Sequence, residues 1–471
     1  MAYKGRLKKI PRPLRPLVQV PLDALRRAIE WRRRHRFDRL RATVRWWWSV
    51  RRAGAKRRRE RRLTVAVDIK AFWEPLTGIG RYLYCLLDRL KDRDDVRLRL
   101  YGPWTCALAP DPVVEPPRGP AIEVVRYPVP VGLLLPPHRL ARWLVRRESS
   151  LVRADANDVV FLPNYLPPRR FRKAAGALVV TVHDLSVRHF AWTMREETRR
   201  ELDAGLERTL ARASVVLTDA EAVAREVRES GLAADASVVP VLLGGGHLAS
   251  ELPAAADLEA ELGRLGLADD GYALHVGTIE PRKNLARLLG VWRTWRERRG
   301  GRVPPLVLVG KLGWKTDDLA LDLEQGCREG WLVRPGYVTD RQMAAVYGGA
   351  RFLVFPSLYE GFGLPAVEAM ALGTPVLLSD IEVFREVAGE AAFFVEPTDD
   401  EAWLAALERF DTDGELRRRL AASGRRRVAE LDWGRTAEQT LAALAGSCRR
   451  GRGIAGGLRA PRRPPDDDRG R

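Results

Sequence analysis

The sequence predicts an α/β protein in which two Rossmann-like, doubly wound domains face each other across a cleft. Short β-branched and apolar runs alternate with helical patterns from Leu63 onward, and these runs are apolar on both faces. Strands of this kind are typical of parallel sheets that are covered by helices on both sides. The length of 471 residues and the hydrophobic share of 46% fit more than one globular domain.

The domain boundaries follow changes in composition. Residues 1–62 form a basic, helical extension, residues 63–245 a first Rossmann-like domain and residues 246–430 a second, with a glycine-rich hinge at 244–246. Residues 431–448 follow as a C-terminal helix, and the Gly-, Pro-, Arg- and Asp-rich residues 449–471 are predicted to be a disordered tail. The predicted strands are 63–69, 96–101, 122–127, 159–162, 177–182, 214–218, 238–242, 272–276, 305–309, 331–334, 352–355, 375–379 and 391–395.

The N-terminal extension carries nearly all of the net charge. It holds 23 Lys and Arg against four Asp and Glu, which accounts for +19 of the total of +20. Residues 22–52 place apolar side chains at helical spacing and include the cluster Trp46, Trp47 and Trp48. Because indole rings prefer the headgroup level and anionic lipid attracts basic side chains, this segment is predicted to lie on an anionic membrane surface. A solvated basic arm and a nucleic-acid-binding arm are the alternatives.

The chain shows no pattern typical of secretion or membrane insertion. No apolar run approaches the roughly 20 residues that span a bilayer, and no apolar segment precedes a cleavage site near the N-terminus. The four cysteines lie far apart and form no Cys-x-x-Cys pair, which fits a reducing compartment. The sequence therefore predicts a cytoplasmic protein that binds peripherally to the inner face of the cell membrane.

The most informative segment is a Gly-rich loop between a predicted strand and a predicted helix. The helix is expected to begin near Leu364, because a proline follows and proline is favoured in a first helical turn. The backbone amides of Phe362, Gly363 and Leu364 are then predicted to bind phosphate at the positive end of that helix. Glu360 and Glu368 flank the loop, and their carboxylates suit hydrogen bonds from hydroxyl groups.

Seven residues separate these two acids, and the segment resembles the E-x7-E motif of retaining glycosyltransferases of the family-four type, which have the GT-B fold. The resemblance covers about four-fifths of the chain, from Thr64 to Leu444. It implies that the second domain binds a nucleotide-sugar, with Glu360 orienting the donor sugar and Glu368 holding the ribose. It also implies that the first domain binds the acceptor and that residues 431–448 cross back onto it.

A second motif lies in the loop after the first strand of the second domain. It resembles the family's diphosphate-binding loop, which implies that Lys283 and Arg282 bind the donor diphosphate and stabilise the charge of the leaving group. Gly277 is assigned to the same nucleotide-sugar site. The motif departs from its commonest version, because Thr278 stands where many members carry Arg and the loop is one residue shorter.

The first domain offers two further groups of candidates. Gly78 and Gly80 follow its first strand, where glycine allows close approach of the backbone, and Gly80 is expected to face the diphosphate. His183 and Asp184 end a later strand, a position that suits a hydrogen bond to a sugar hydroxyl. In relatives a histidine here contacts the donor sugar. A histidine that is satisfied inside the fold is the alternative.

The remaining candidates concern the base and a possible metal. Tyr337 and Val338 lie in a segment that borders the nucleotide base in relatives, and ordinary core packing is the alternative for them. Two Asp-x-Asp strings begin at Asp92 and Asp411, where helical pattern gives way to loop, and the histidines are dispersed. The sequence therefore predicts no metal site and no cofactor besides the nucleotide-sugar substrate.

Together these features predict a retaining hexosyltransferase, with mannosyl as the first candidate group. The acceptor is expected to be lipid-linked or a saccharide in cell-envelope polysaccharide or glycolipid synthesis. The resemblance implies front-face transfer, and it makes GDP-mannose the first donor to consider, followed by UDP- and dTDP-sugars. A nucleic-acid-binding protein and a sugar-nucleotide epimerase or synthase of the same fold are the alternatives. A nucleic-acid partner is not expected, because it leaves Glu360 and Glu368 unexplained.

Overall fold

The structure, a computed structural model, describes residues 62–102, 112–125, 155–166, 171, 176–194, 196–269, 271–313 and 317–454. Within them the chain forms two parallel sheets with helices in most connections. The strands are β1 Leu63–Asp68, β2 Val96–Tyr101, β3 Ile122–Val124, β4 Val159–Leu162, β5 Ala177–Val182, β6 Val215–Thr218, β7 Ser237–Pro240, β8 Ala273–Val276, β9 Leu306–Val309, β10 Leu332–Val333, β11 Phe352–Phe355, β12 Val376–Ser379 and β13 Ala392–Val395. The helices are α1 Gly78–Leu90, α2 Ser186–His189, α3 Glu196–Leu210, α4 Glu221–Glu229, α5 Ala255–Arg264, α6 Leu285–Arg298, α7 Asp317–Arg328, α8 Asp340–Gly348, α9 Leu364–Ala371, α10 Glu382–Ala388, α11 Asp400–Thr412, α12 Gly414–Glu430 and α13 Trp433–Ile454.

The first sheet has seven parallel strands in the order β3-β2-β1-β4-β5-β6-β7. Val65 of β1 pairs with Leu98 of β2 on one side and with Val159 of β4 on the other. The residues of β4 and β6 are buried throughout, as expected for strands covered on both faces. The order of strands reverses between β1 and β4, so the loops that follow these two strands open onto one crevice.

The second sheet has six parallel strands in the order β10-β9-β8-β11-β12-β13. Its first strand, β8, lies between β9 and β11, which is the strand order of a doubly wound Rossmann domain. Ligands of such sheets bind beyond the carboxyl ends of the strands, where the order reverses. In this domain that point lies between the loops that follow β8 and β11.

The predicted fold class is confirmed, and a strand is present at each predicted position. Several strand boundaries differ from the predicted ones by one or two residues, and two boundaries are further off. Strand β3 ends at Val124 and not at residue 127; this edge strand has one neighbour and its last two residues are exposed. The C-terminal helix continues to Ile454, past the predicted end at 448, because the helix-breaking prolines of the tail begin only at Pro461.

The linker between the sheets packs against the start of the C-terminal helix. The N–H of Gly245 donates to the carbonyl of Leu431 over 2.8 Å. A side chain on Gly244 would come within 2.4 Å of Cγ of Trp433, so only glycine fits there. Trp433 is buried at this contact. Helix α13 then packs on α1 and on β4, β5 and β6, and thus brings the chain back to the first sheet.

Two predicted regions fall beyond these elements. The basic extension, including residues 22–52, and residues 455–471 of the tail lie outside the described residues. Among the helices that are described, none has the length and apolar character needed to cross a membrane.

Candidate active site

Four charged side chains meet at the carboxyl ends of β8 and β11, and we call them the ion cluster. Glu280, Arg282 and Lys283 lie in and just before a short 3-10 turn after β8, and Glu360 lies in the loop after β11. The backbone joins the two loops, because the N–H of Leu358 donates to the carbonyl of Arg282 over 2.8 Å. The strand order of the second sheet therefore brings residues from distant parts of the sequence to one place.

Glu360 lies at the centre of the ion cluster. Its Oε1 accepts a hydrogen bond from Nζ of Lys283 at 2.5 Å, and its Oε2 accepts one from Nη1 of Arg282 at 2.9 Å. Burial alone would raise the pKa of Glu360, but the two neighbouring cations outweigh burial and lower that pKa to about 2. Glu360 is therefore a carboxylate at neutral pH, paired with both cations that the sequence assigned to the diphosphate.

Arg282 is held by three acceptors. Its Nε lies 2.5 Å from Oε1 of Glu280, and its Nη1 donates to the carbonyl of Tyr359 over 3.0 Å as well as to Glu360. Burial would lower the pKa of Arg282, but the carboxylates of Glu360, Asp184 and Glu280 raise it instead. With all four groups ionised, the cluster carries two positive and two negative charges.

Lys283 is buried among apolar neighbours. Its Nζ lies 4.8 Å from the centre of the Phe355 ring, and a side chain on Gly277 would come within 3.6 Å of its Cε. Burial lowers the pKa of Lys283, and the Glu360 carboxylate opposes that effect. The nearby His275 is neutral at physiological pH, because burial and the Lys283 charge lower its pKa to about 4. Lys283 therefore depends on Glu360 for an opposite charge.

Glu368 lies in α9, where both domains and the linker come together. Its Oε2 accepts a hydrogen bond of 2.6 Å from the Tyr347 hydroxyl. Nε2 of the linker residue His247 lies 3.1 Å from Oε1 but without the geometry of a hydrogen bond. Arg81 of the first domain interacts electrostatically with Glu368 and donates two hydrogen bonds of 2.6 and 2.7 Å to Asp340 of the second. Glu368 is thus fixed in direction by a neutral donor.

The start of α9 presents backbone donors. Gly363 adopts a φ of +92°, and a side chain there would come within 2.6 Å of the Phe384 ring, so this position requires glycine. The Phe362 ring is buried in the hydrophobic core and anchors the loop. Among the backbone hydrogen bonds of the described residues, none uses the N–H of Phe362, Gly363 or Leu364. These amides are left for a ligand at the positive end of the helix.

His183 comes from the first domain, and both of its ring nitrogens already have partners. Nδ1 lies 2.6 Å from Oδ2 of Asp219, and Nε2 lies 2.8 Å from the carbonyl of Pro163. Burial would lower the pKa of His183, but the Asp219 carboxylate outweighs burial and raises it. A sugar hydroxyl would have to compete with the Pro163 carbonyl, which the sequence did not predict. The His183 carbonyl meets the second domain, because a side chain on Gly361 would lie 1.8 Å from it.

The other predicted site residues have different surroundings. Gly78 opens α1 with free space beside it, whereas the side of Gly80 that lacks a side chain faces Leu76 of the same domain at 2.9 Å. Packing against Leu76 gives Gly80 a structural reason of its own, and the expectation that it faces a diphosphate stays a prediction. Tyr337 is 81% exposed, while Val338 is partly buried against the core. Core packing explains Val338 but not Tyr337.

Side chains also join the two domains beside Glu360. The Tyr359 hydroxyl accepts from the N–H of Leu185 over 2.9 Å and donates to Oε2 of Glu226 over 2.7 Å. Glu386 caps the N-terminus of α4 in the first domain through two hydrogen bonds of 2.7 and 2.9 Å. The residue next to Glu360 in the chain therefore contacts the first domain directly.

Sequence reasoning missed the residues that hold the predicted ones in place. Asp219 could have been found from the strand pairing. Val182 pairs with Thr218, and His183 and Asp219 are the residues that follow them directly. Glu280 lies inside the second motif but was assigned no role. Nothing in the sequence pattern links Tyr347 to Glu368, since that contact depends on how α8 packs on α9.

The described residues contain no group of three or more His, Cys, Asp or Glu side chains that could hold a metal ion. The second Asp-x-Asp string serves the fold: Asp411 accepts from Arg351 over 2.5 Å, and Asp413 caps α12 by accepting from the N–H of Leu416 over 2.8 Å.

Two family descriptions match separate parts of the chain. Residues 76–241 match the family described as Glycosyltransferase Family 4, and residues 261–427 match the one described as Glycosyl transferases group 1. The O-antigen chain mannosyltransferase B of Escherichia coli is 32% identical over 376 residues, which cover 78% of this chain and 95% of that relative.

Solved structures share the fold at lower identity. Sucrose-phosphate synthase from Thermosynechococcus elongatus superposes with a TM-score of 0.61 at 21% identity, over 84% of this chain and 100% of that one. The Anabaena protein HepE in complex with UDP-glucose gives a TM-score of 0.60 at 16% identity, over 82% of this chain and 100% of that one. At such identities the likeness concerns the fold alone.

Proposed function

The chain belongs to the family-four, group 1 glycosyltransferases of the GT-B fold, and from this premise we propose that it transfers a mannosyl group from a nucleotide-sugar to a saccharide acceptor in polysaccharide synthesis, with retention of configuration. A relative that matches along most of the chain is named a mannosyltransferase of the O-antigen chain, which supports both the group and the pathway class. The observation that carries the proposal is the ion cluster, with two cations and two acids at the carboxyl ends of β8 and β11, where sheets of this kind bind ligands.

Donor binding requires an exchange of partners in the ion cluster. Lys283 and Arg282 both donate to Glu360, so a donor diphosphate competes with this carboxylate for the same groups. When the two cations turn to the phosphates, the oxygens of Glu360 become available to hydroxyl groups of the donor sugar. Binding of the diphosphate by the two cations and binding of the sugar by Glu360 are thereby coupled.

The transfer step breaks one glycosidic bond, forms another and moves one proton. The bond between the anomeric carbon and the diphosphate oxygen breaks, and a bond from that carbon to the acceptor hydroxyl oxygen forms on the same face. The acceptor proton passes to the leaving phosphate oxygen. Lys283, Arg282 and the amides of Phe362, Gly363 and Leu364 stabilise the charge that leaves. Glu368, with its second oxygen fixed by the Tyr347 hydroxyl, holds the ribose.

Product analysis tests the proposed reaction. The full chain is incubated with GDP-mannose, UDP-glucose or a dTDP-sugar and with saccharide and polyprenyl-diphosphate-linked acceptors. We expect free nucleoside diphosphate and a new glycoside whose anomeric configuration, read by NMR, matches that of the donor, with GDP-mannose the best donor. An inverted product contradicts the retaining mechanism, and an isomerised sugar nucleotide without diphosphate release contradicts glycosyl transfer.

The transfer needs no divalent metal ion. This part of the proposal is supported by Lys283 and Arg282, which supply two positive charges where the diphosphate leaves. We expect turnover to be unchanged when EDTA is added in excess. Loss of activity in EDTA that Mg²⁺ or Mn²⁺ restores would contradict this part alone.

The enzyme acts on the inner face of the cell membrane, where its basic extension brings the cleft to lipid-linked acceptors. The support is the sequence of residues 22–52, which combines basic side chains with Trp46, Trp47 and Trp48. Replacing all three tryptophans with Ala in the full chain should reduce co-sedimentation with anionic vesicles. Turnover with a soluble acceptor should stay unchanged. Unchanged sedimentation would contradict this mode of binding.

A further inference from the structure

An exposed tryptophan stands at the edge of the cleft on the first domain. Trp192 is 64% exposed and lies in the 3-10 turn Ala191–Thr193, which follows β5 and the short helix α2. The carboxyl ends of the strands in this sheet face the cleft, so the segment after β5 lies on the ligand side of the domain. Tryptophan is enriched at binding surfaces, because its large ring is apolar while its N–H can bind a polar group.

The rings next to Trp192 lead towards the ion cluster. The Phe190 ring lies 6.3 Å from the Trp192 ring on one side and 5.8 Å from the Tyr359 ring on the other. Tyr359 immediately precedes Glu360, and its carbonyl accepts a hydrogen bond from Arg282. We call Phe190, Trp192 and Tyr359 the aromatic platform. Each step along it is about the size of one sugar ring, so the platform joins the reacting site to the solvent edge.

We propose that the aromatic platform is an acceptor subsite that binds sugar rings of a growing saccharide chain beyond the one that receives the new residue. This inference rests on the proposed function and deepens it, because it names the part of the acceptor that is recognised. A pyranose presents a face of C–H groups that packs on an indole ring, while its hydroxyls need polar neighbours at the ring edge. Glu226, whose Oε2 lies 3.0 Å from His189 Nε2, is such a neighbour.

The described charges around the platform are paired with one another and leave little to attract an anionic membrane. Glu196 begins α3 directly after this segment and pairs with Arg199 and Arg200. On the other side Glu226 accepts a hydrogen bond from Tyr359, and its carboxylate can also accept from sugar hydroxyls. Because binding to anionic lipid depends on basic side chains that are free to meet it, a saccharide fits the platform better than a bilayer does.

Acceptor length provides the test, because only longer chains reach Trp192. Wild type, Trp192→Ala and Trp192→Phe are compared with a mannose monosaccharide and an α-linked mannotetraose as acceptors. We expect Trp192→Ala to lower kcat/KM for the tetrasaccharide by about tenfold, mainly through KM, and to leave the monosaccharide unchanged. Trp192→Phe should retain most of the preference. Leu321→Ala is the matched control, since Leu321 is 73% exposed on the second domain, and it should change neither acceptor.

Binding without turnover separates this inference from the proposed function. Saturation-transfer NMR with mannotetraose should detect binding to wild type and a loss with Trp192→Ala, whether or not any donor is used. Tetrasaccharide binding that is equal in the two proteins, or an equal loss of kcat/KM for both acceptors, overturns the platform. A loss of anionic-vesicle binding with unchanged saccharide binding overturns it in favour of a membrane contact. Transfer of another sugar with the length effect intact would revise only the proposed donor.

Discussion

The two walls of the cleft are built from different chemistry. On the second domain the ion cluster packs four charged groups into a buried site, with each cation bound to an acid. On the first domain His183 is paired with Asp219 and Arg81 with Asp340 of the second domain, and the Phe190 and Trp192 rings lie at the edge of the cleft. The wall on the second domain therefore fits a ligand that carries charge, and the wall on the first domain fits a neutral ligand.

This difference indicates how the two substrates are recognised. The buried cations Lys283 and Arg282 can exchange the Glu360 carboxylate for a diphosphate, because the diphosphate brings negative charge of its own. Aromatic rings carry no net charge, but they can follow the shape of a saccharide and pack on its C–H face. Substitutions on the second domain should therefore change donor binding and chemistry, and those on the first should change acceptor use or stability.

The largest effect is expected at Lys283. Lys283→Ala removes a buried cation at the leaving group, and turnover should fall by about 10²–10³-fold, the usual effect of losing one such stabilising donor. Release of nucleoside diphosphate measured at saturating donor checks this. Lys91→Ala, which removes a partly exposed lysine paired with Asp88 far from the ion cluster in sequence, is the control and should retain normal turnover. Full activity of Lys283→Ala would show that Lys283 does not stabilise the leaving group.

The contact between the walls can be broken at Gly361. A side chain there would lie 1.8 Å from the His183 carbonyl, so Gly361→Ala forces the domains apart beside Glu360. We expect turnover to fall by about tenfold or more, because misplacement by even 1 Å is costly. Gly290→Ala is the control: its side chain would meet open space in α6, and the variant should be fully active. Equal activities would show that this contact is not needed.

A smaller effect is expected where the second domain holds the ribose. Glu368→Ala should weaken nucleotide affinity by about tenfold, the usual size of a hydrogen bond to a charged group. Tyr347→Phe leaves the carboxylate in place but removes the donor that orients it, so its effect should be smaller. Calorimetric titration with nucleoside diphosphate measures both. If Glu368→Ala binds the nucleoside diphosphate as tightly as wild type, Glu368 does not contact the nucleotide.

The smallest effect concerns the His183–Asp219 pair on the first domain and appears in stability. The pKa of His183 is raised in the fold by Asp219, against the effect of burial, so the pair stabilises most when both folded and unfolded histidines are protonated. That contribution is lost as pH rises through the raised pKa. The Tm advantage of wild type over His183→Gln should therefore be larger near about pH 6 than near about pH 9. An advantage that grows with pH would contradict the charged pair.

The sequence predicted the strands and the two sheets far better than it predicted the contacts among the candidate site residues. Apolar runs and glycines are local signals, so β11, the loop after it and the start of α9 could be located directly. The pairing of Glu360 with Lys283 depends on the order of strands in the sheet, which separates these residues in the chain and joins them in space.

The partners of His183 and the packing at Gly80 were missed for a related reason. A glycine after a strand has the same local pattern whether or not a leucine packs beside it, so the contact of Gly80 with Leu76 could not be read from the sequence. A histidine at a strand end likewise gives no sign that Pro163 and Asp219 will use both of its nitrogens.

The exchange of partners at Glu360 is tested most directly by titrating nucleoside diphosphate into wild type, Glu360→Gln and Lys283→Ala and measuring Kd. Because the Glu360 carboxylate competes with the phosphates, Glu360→Gln should bind the diphosphate roughly tenfold more tightly than wild type while turning over more slowly, and Lys283→Ala should bind it more weakly. If both variants bind the diphosphate more weakly than wild type, Glu360 does not compete with the donor, and the account of the ion cluster is wrong.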